Sequence, residues 1–75
     1  MIVRSFYRDF LLTCQPLGQP DGRFQARVSI TSLAGSHTRS QRFLDLDFFA
    51  SEQTAIEHAR QTGMEWIDVH HRRQP

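Results

Sequence analysis

The hydrophobic period of this chain changes once, and the change limits what it can fold into. Phe24, Ala26, Val28 and Ile30 alternate with Gln25, Arg27, Ser29 and Thr31. Period two sends the two sets to opposite sides of an extended segment, which predicts a strand over residues 24–31 with one buried and one wet face. β-Branched Val28, Ile30 and Thr31 suit that conformation. Past residue 51 the spacing lengthens. Ala55, Ile56, Ala59, Gly63, Trp66 and Ile67, with His70 next, recur at three and four residues and draw one helical stripe. Strands first and a helix last define an α+β chain.

Turn chemistry divides the strand-forming part. Pro16, Gly18, Pro20, Asp21 and Gly22 cluster just ahead of the alternating stretch. Pro presets φ and Gly accepts positive φ, so the chain should reverse there. Before the cluster, Phe10, Leu12 and Cys14 share one face of an extended segment, and Leu11 and Thr13 the other. This predicts a hairpin partner over residues 6–15. A helical start also fits, because Val3, Phe6, Tyr7, Phe10 and Leu11 recur at helical spacing; a turn feeding directly into a strand favours the hairpin. Ala34, Gly35, Ser36 and His37 read as a second turn. A third strand is expected over residues 39–48, with Leu44, Leu46 and Phe48 inward and Phe43, Asp45 and Asp47 outward.

Ser51 is placed to cap a helix, and Glu52 puts negative charge in its first turn. Gly63 could end that helix and leave residues 64–69 for a fourth strand. The apolar stripe keeps its phase through Gly63, however, and the chain finishes on His70, His71, Arg72 and Arg73, as a helix C-terminus prefers. A continuous helix is therefore expected, with small Ala59 and Gly63 letting it approach the sheet closely. The expected architecture is a single domain over residues 1–75: a three-stranded antiparallel meander packed by one long C-terminal helix, β-β-β-α, in two layers.

A chain of 75 residues with one cysteine cannot form an intrachain disulfide. No apolar run exceeds three residues, where a membrane span needs ~20. Arg4, Arg8 and Asp9 interrupt the start, so no signal peptide is expected. The free thiol of Cys14 then points to a reducing cytoplasm. A core of this size supplies only ~3–5 kcal/mol, which makes a homodimer a natural way to bury more surface. Tyr7, Leu11, Phe43 and Phe49 are expected off the main core face, and Met64 on the polar face of the helix. These five are the candidate interface.

Chemistry-bearing patterns are sparse. His70 and His71 are adjacent, about 100° apart on a helix, and no HxxxH, CxxC or HxxE spacing occurs, so neither a metal nor another cofactor is expected. Cys14 lies on the predicted core face and no GxSxG elbow exists. Glycines 18, 22, 35 and 63 are too scattered to form a phosphate loop. Asp45 and Asp47 share a strand face, where Arg27 or Arg42 would pair with them across strands. The expectation is a binding module rather than an enzyme, partnered by itself or by another protein.

A nucleic-acid binder is the alternative, using Gln25, Arg27, Arg39 and Arg42 on the open sheet face. The formal charge is only +1, but it is unevenly spread. Residues 1–44 hold six Arg against two Asp, net +4, and residues 45–68 hold six acids against one Arg, net −5. The acidic stretch, and Asp45 and Asp47 above all, would repel phosphate. All nine basic residues are Arg and the chain has neither Lys nor Asn. Codon bias accounts for that; the planar five-donor fork of Arg matters only where placement uses it.

The segment Phe48, Phe49, Ala50, Ser51, Glu52, followed by Ala55, Ile56, Glu57, His58, Ala59 and then Glu65, Trp66, Ile67, Asp68, resembles the C-terminal half of short uncharacterised bacterial domains. Those pair a small β-meander with a helix carrying a Trp-Ile-Asp-like motif. The resemblance implies the same fold, no activity and no catalytic residues; Trp66 is a core anchor on this reading.

Overall fold

The computed structural model describes residues 1–33 and 40–71. The chain is α+β with antiparallel sheets and one C-terminal helix, as expected, but the described residues form seven strands in two sheets instead of a three-stranded meander. Strands β1 (Val3–Tyr7), β2 (Phe10–Cys14), β5 (Val28–Ser32) and β6 (Ser40–Phe43) make a four-stranded sheet in the order β1-β2-β5-β6. Strands β3 (Leu17–Gly18), β4 (Phe24–Gln25) and β7 (Phe48–Phe49) make a smaller sheet in the order β3-β4-β7. Helix α1 (Glu52–His71) follows and runs unbroken through Gly63, so no fourth strand occupies residues 64–69.

Each departure from the meander has a local cause. The expected strand over residues 6–15 is two strands, because the chain reverses at Arg8 and Asp9 and pairs Tyr7 with Phe10. Arg8 takes φ 54° at a turn position where hairpins ordinarily place Gly or Asn. No Gly, Pro or Asn marks the reversal, so composition conceals it. The expected pairing between this region and the alternating stretch does occur, from Phe10 with Ser32 to Cys14 with Val28. The turn cluster also reverses the chain, within a smaller loop: Gly22 has φ 89° and its amide donates to the Gln19 carbonyl at 3.0 Å. The alternating stretch breaks at Ala26 and Arg27 into β4 and β5 but keeps its phase, with Ala26, Val28 and Ile30 all buried.

The expected third strand fails in phase. It divides into β6 and β7 around a bend at Asp45. Phe43, Leu46 and Phe49, three residues apart, pack against the core, while Leu44 and Phe48 are exposed. The bend rotates the chain between the strands, and the Ala26 amide fixes it by donating to the Asp47 carbonyl at 3.0 Å. The expected second turn, at residues 34–37, lies outside the described residues.

The core is one-sided. Leu12, Cys14, Val28 and Ile30 from the larger sheet meet Ala55, Ile56, Ala59 and Ile67 from α1, with Ala26 between the sheets. Ser51 caps the helix as expected: its Oγ accepts from the Thr54 amide at 3.1 Å. Gly63 is the point of closest approach. A Cβ built there would lie 2.8 Å from Leu12 Cδ2, 3.5 Å from Val28 Cγ2 and 3.6 Å from Ile30 Cγ1. Leu12 is fully buried and cannot swing aside freely. Gly63→Val should therefore lower stability by about 2 kcal/mol in a urea melt through overpacking. Exposed Gln53→Ala should stay within ~0.5 kcal/mol of the parent. Equal stability of both variants would mean that the layers do not touch at Gly63.

Candidate functional site

Residues directly opposite in an antiparallel sheet project to the same side. On the helix side, Val3, Cys14, Val28 and Phe43 form one cross-strand row, and Ser5, Leu12, Ile30 and Gln41 the next. On the other side the rows are Arg4, Thr13, Ser29 and Arg42, and then Phe6, Leu11, Thr31 and Ser40. No helix covers this second side among the described residues. Phe6 stands 73% exposed on it.

The uncovered face is basic and hydroxylated. None of the chain's acidic residues falls in β1, β2, β5 or β6, whereas Arg4 and Arg42 close the two ends of one row. Three interstrand spacings put those ends ~14 Å apart. Ion pairs among the described residues join Met1 to Glu52, Arg8 to Asp68 and Arg23 to Asp21, which leaves Arg4, Arg27 and Arg42, and Arg60 on the helix, without a carboxylate partner among those residues. The acids gather elsewhere. Helix α1 carries Glu52, Glu57, Glu65 and Asp68 against Arg60. The two halves of opposite charge seen in the sequence are thus largely two layers of the fold.

A cavity of about 340 Å³ opens on the uncovered face, lined by Thr13, Gln15, Arg27, Val28, Ser29, Arg42 and Leu44. Arg27 and Gln15, both in its lining, hold each other. The Gln15 amide donates to the Arg27 carbonyl at 3.1 Å, and Arg27 Nε donates to the Gln15 carbonyl at 3.0 Å. Asp45 and Asp47 do not line the cavity. They lie beyond β6, off any strand, and Asp47 Oδ1 accepts the Phe48 amide at 3.0 Å. The expected ladder of these two aspartates against Arg27 or Arg42 does not form.

Most of the expected interface residues lie elsewhere than expected. Tyr7, Phe43, Phe49 and Met64 pack against the core. Tyr7 sits inward because β1 is a strand of its own with Val3, Ser5 and Tyr7 toward the helix, and its hydroxyl donates to Asp68 Oδ1 at 2.8 Å. Phe43 and Phe49 turn inward because of the bend between β6 and β7, and Phe49 lies 4.9 Å from the His58 ring. Leu11 is on the uncovered face. Of the expected nucleic-acid contacts, Arg27 and Arg42 meet at the cavity, Gln25 belongs to β4 of the smaller sheet, and Arg39 lies outside the described residues. Ser29 lies on the wet face that the alternation defines, but Arg4, Phe6, Thr13 and Gln15 do not stand out in the sequence as site residues. The signal for Arg4 and Phe6 is the alternation in residues 3–7, which the competing helical spacing of the same segment obscures.

Other polar groups secure the fold. Asp68 Oδ1 also accepts Arg8 Nε at 3.0 Å, which ties the strained β1-β2 turn to the helix and holds the Arg8 guanidinium charged beyond its ordinary range. Trp66 meets Phe10 edge-on at 6.3 Å and stacks on His70 at 4.0 Å, so it is partly buried as a core anchor. Among the described residues no three His, Cys, Asp or Glu side chains gather as a metal site, and no helix is long and apolar enough to cross a membrane. No family model, curated protein or solved structure matches the chain.

Cys14 is buried in the core, and burial pushes its thiol pKa up, with the charge of Arg60 a smaller opposing influence. The folded state therefore holds the thiol proton more tightly than the unfolded chain does. Its contribution to stability is complete below the unfolded thiol pKa and declines as pH rises through the window above it. Cys14 should resist a disulfide-exchange reagent at pH 8 and react on unfolding in urea. Rapid labelling of the native protein would contradict its place in the core.

Proposed function

We propose that this protein is a non-catalytic binding module, working in a reducing compartment, whose working surface is the uncovered face of the four-stranded sheet and whose partner is a single-stranded nucleic acid. The observation that carries the reading is the row Arg4, Thr13, Ser29, Arg42, in which two arginines lacking carboxylate partners flank two hydroxyls. Single strands are held by cations that follow the backbone and by aromatic rings on which bases stack. The arginines supply the first, and exposed Phe6 in the adjacent row supplies the second. The near-neutral total charge does not oppose this reading, because four acids ride on α1 and none on the larger sheet.

The homodimer proposed from composition loses most of its candidate surface, since Tyr7, Phe43, Phe49 and Met64 are engaged with the core. Leu11 and Phe6 are neighbours on the uncovered face and could serve two copies instead. The two readings separate by salt and by stoichiometry.

Fluorescence anisotropy of labelled single-stranded DNA and RNA, at low and at physiological salt, tests the proposal. Binding should weaken steeply as salt rises. Arg4→Gln and Arg42→Gln should each weaken it further, and Phe6→Ala should remove ~1–3 kcal/mol of stacking. Absence of binding at low salt would overturn the reading. Sedimentation showing a dimer that Phe6→Ala dissolves would replace it with the homodimer.

A further inference from the structure

The cavity differs chemically from the rest of the uncovered face. Arg27 is half-buried, and its Nε is already committed to the Gln15 carbonyl at 3.0 Å. That bond fixes the guanidinium while leaving both terminal nitrogens available. Arg42 arrives from β6, bonded to no carboxylate, one strand away from Ser29, its partner in register. Thr13 and Ser29 place two hydroxyls in the same lining, themselves partners across β2 and β5. Leu44 supplies an apolar wall.

We infer that this cavity is a discrete seat for one phosphate group, formed by Arg27, Arg42, Thr13 and Ser29. The donor set selects the anion. A carboxylate has two oxygens and is satisfied by one guanidinium fork. Two arginines and two hydroxyl residues in the lining of one cavity exceed that capacity and suit a tetrahedral group with three or more acceptor oxygens. Among the described residues no carboxylate lines the cavity to compete for the arginines. Its size speaks to what the phosphate is attached to. A cavity of about 340 Å³ is far larger than one small ion, for a water occupies roughly 30 Å³ of liquid, and lies at the lower end of small-ligand sites. The group bound is therefore a phosphate carried by a small organic body, which rests against Leu44 and Gln15. A nucleotide phosphate meets this description. That identification rests on the nucleic-acid reading of the same face, while the phosphate seat itself does not.

Amide chemical shifts of the full chain, titrated separately with inorganic phosphate and with a nucleoside 5′-monophosphate, test the inference, with sodium chloride as the ionic-strength control. The expected result is saturable shifts centred on Thr13, Gln15, Arg27, Ser29 and Arg42, reached at lower concentration with the nucleotide. Arg42→Gln, a change on an exposed edge-strand residue that leaves the core intact, should weaken the nucleotide at least about tenfold, as loss of a charge-assisted pair does. Arg27→Gln should do the same, with its amide spectrum reporting that it remains folded. Arg60→Gln, an exposed change on the helix and outside the cavity lining, should change saturation by less than about twofold. Shifts that follow ionic strength without saturating, or saturation indifferent to Arg42→Gln, would overturn the seat. Equal saturation by inorganic phosphate and nucleotide would leave the seat but remove the organic body. Oligonucleotide binding without a saturable phosphate response would defeat this inference and spare the proposed function. A saturable seat without oligonucleotide binding would do the reverse.

Discussion

The contact between Gly63 and Leu12 sets the spacing of the two layers, and the remainder of the fold follows from that spacing. A helix normally stands off a sheet by the length of its side chains. Here the middle of α1 presents Ala59 and Gly63 to Leu12, Val28 and Ile30, and the backbone itself comes down onto the sheet. Glycine within a helix costs about 1 kcal/mol relative to alanine. The close approach offsets that cost by letting Ala55, Ile56 and Ile67 reach the same core from either side. One helix can cover only one face, so among the described residues the tight packing on that side leaves the other side of the larger sheet open.

The open face is where the charge pattern acquires meaning. Opposite net charges in successive halves of a chain can cancel within the fold. In this fold they are mostly held apart: the helix takes four acids and the larger sheet takes none. The pairs that do bridge the layers, Arg8 with Asp68 and the N-terminal amine with Glu52, lie away from the Arg4 to Arg42 row. Among the described residues the arginines of that row are consequently spared from ion pairing. Arg matters here for its geometry: one nitrogen of Arg27 is spent on the Gln15 carbonyl, and a guanidinium has two more to offer.

Periodicity made the layers legible. The alternation of Ala26, Val28 and Ile30 and the stripe from Ala55 to Ile67 both face the core as read from the sequence, and Ser51 and Gly63 perform the roles their chemistry suggests. The strand count was not legible, for two physical reasons. Arg8 occupies a positive-φ turn through tertiary support, from Asp68 and from the Tyr7 ring 5.5 Å below its guanidinium, so no turn residue marks it. The bend at Asp45 changes the inward set from every second residue to every third, so Phe43, Leu46 and Phe49 replace Leu44, Leu46 and Phe48. The site was half legible. Arg27 and Arg42 stand out as bases on strands, but Arg4 and Phe6 join them only once β1 is recognised as a separate edge strand, and Thr13 and Gln15 only once the register of β2 against β5 is known.

Everything functional proposed for this protein requires that the larger sheet be covered on one face and open on the other. Thiol accessibility on adjacent β5 residues measures this directly. With Cys14→Ala as background, Ser29→Cys and Ile30→Cys place single thiols on opposite faces of one strand. The one-sided sheet predicts that a maleimide labels Ser29→Cys in the native protein and labels Ile30→Cys only after unfolding. Protection of both positions would mean that a second copy or another segment covers the open face, and labelling of both would mean that the helix does not cover the other.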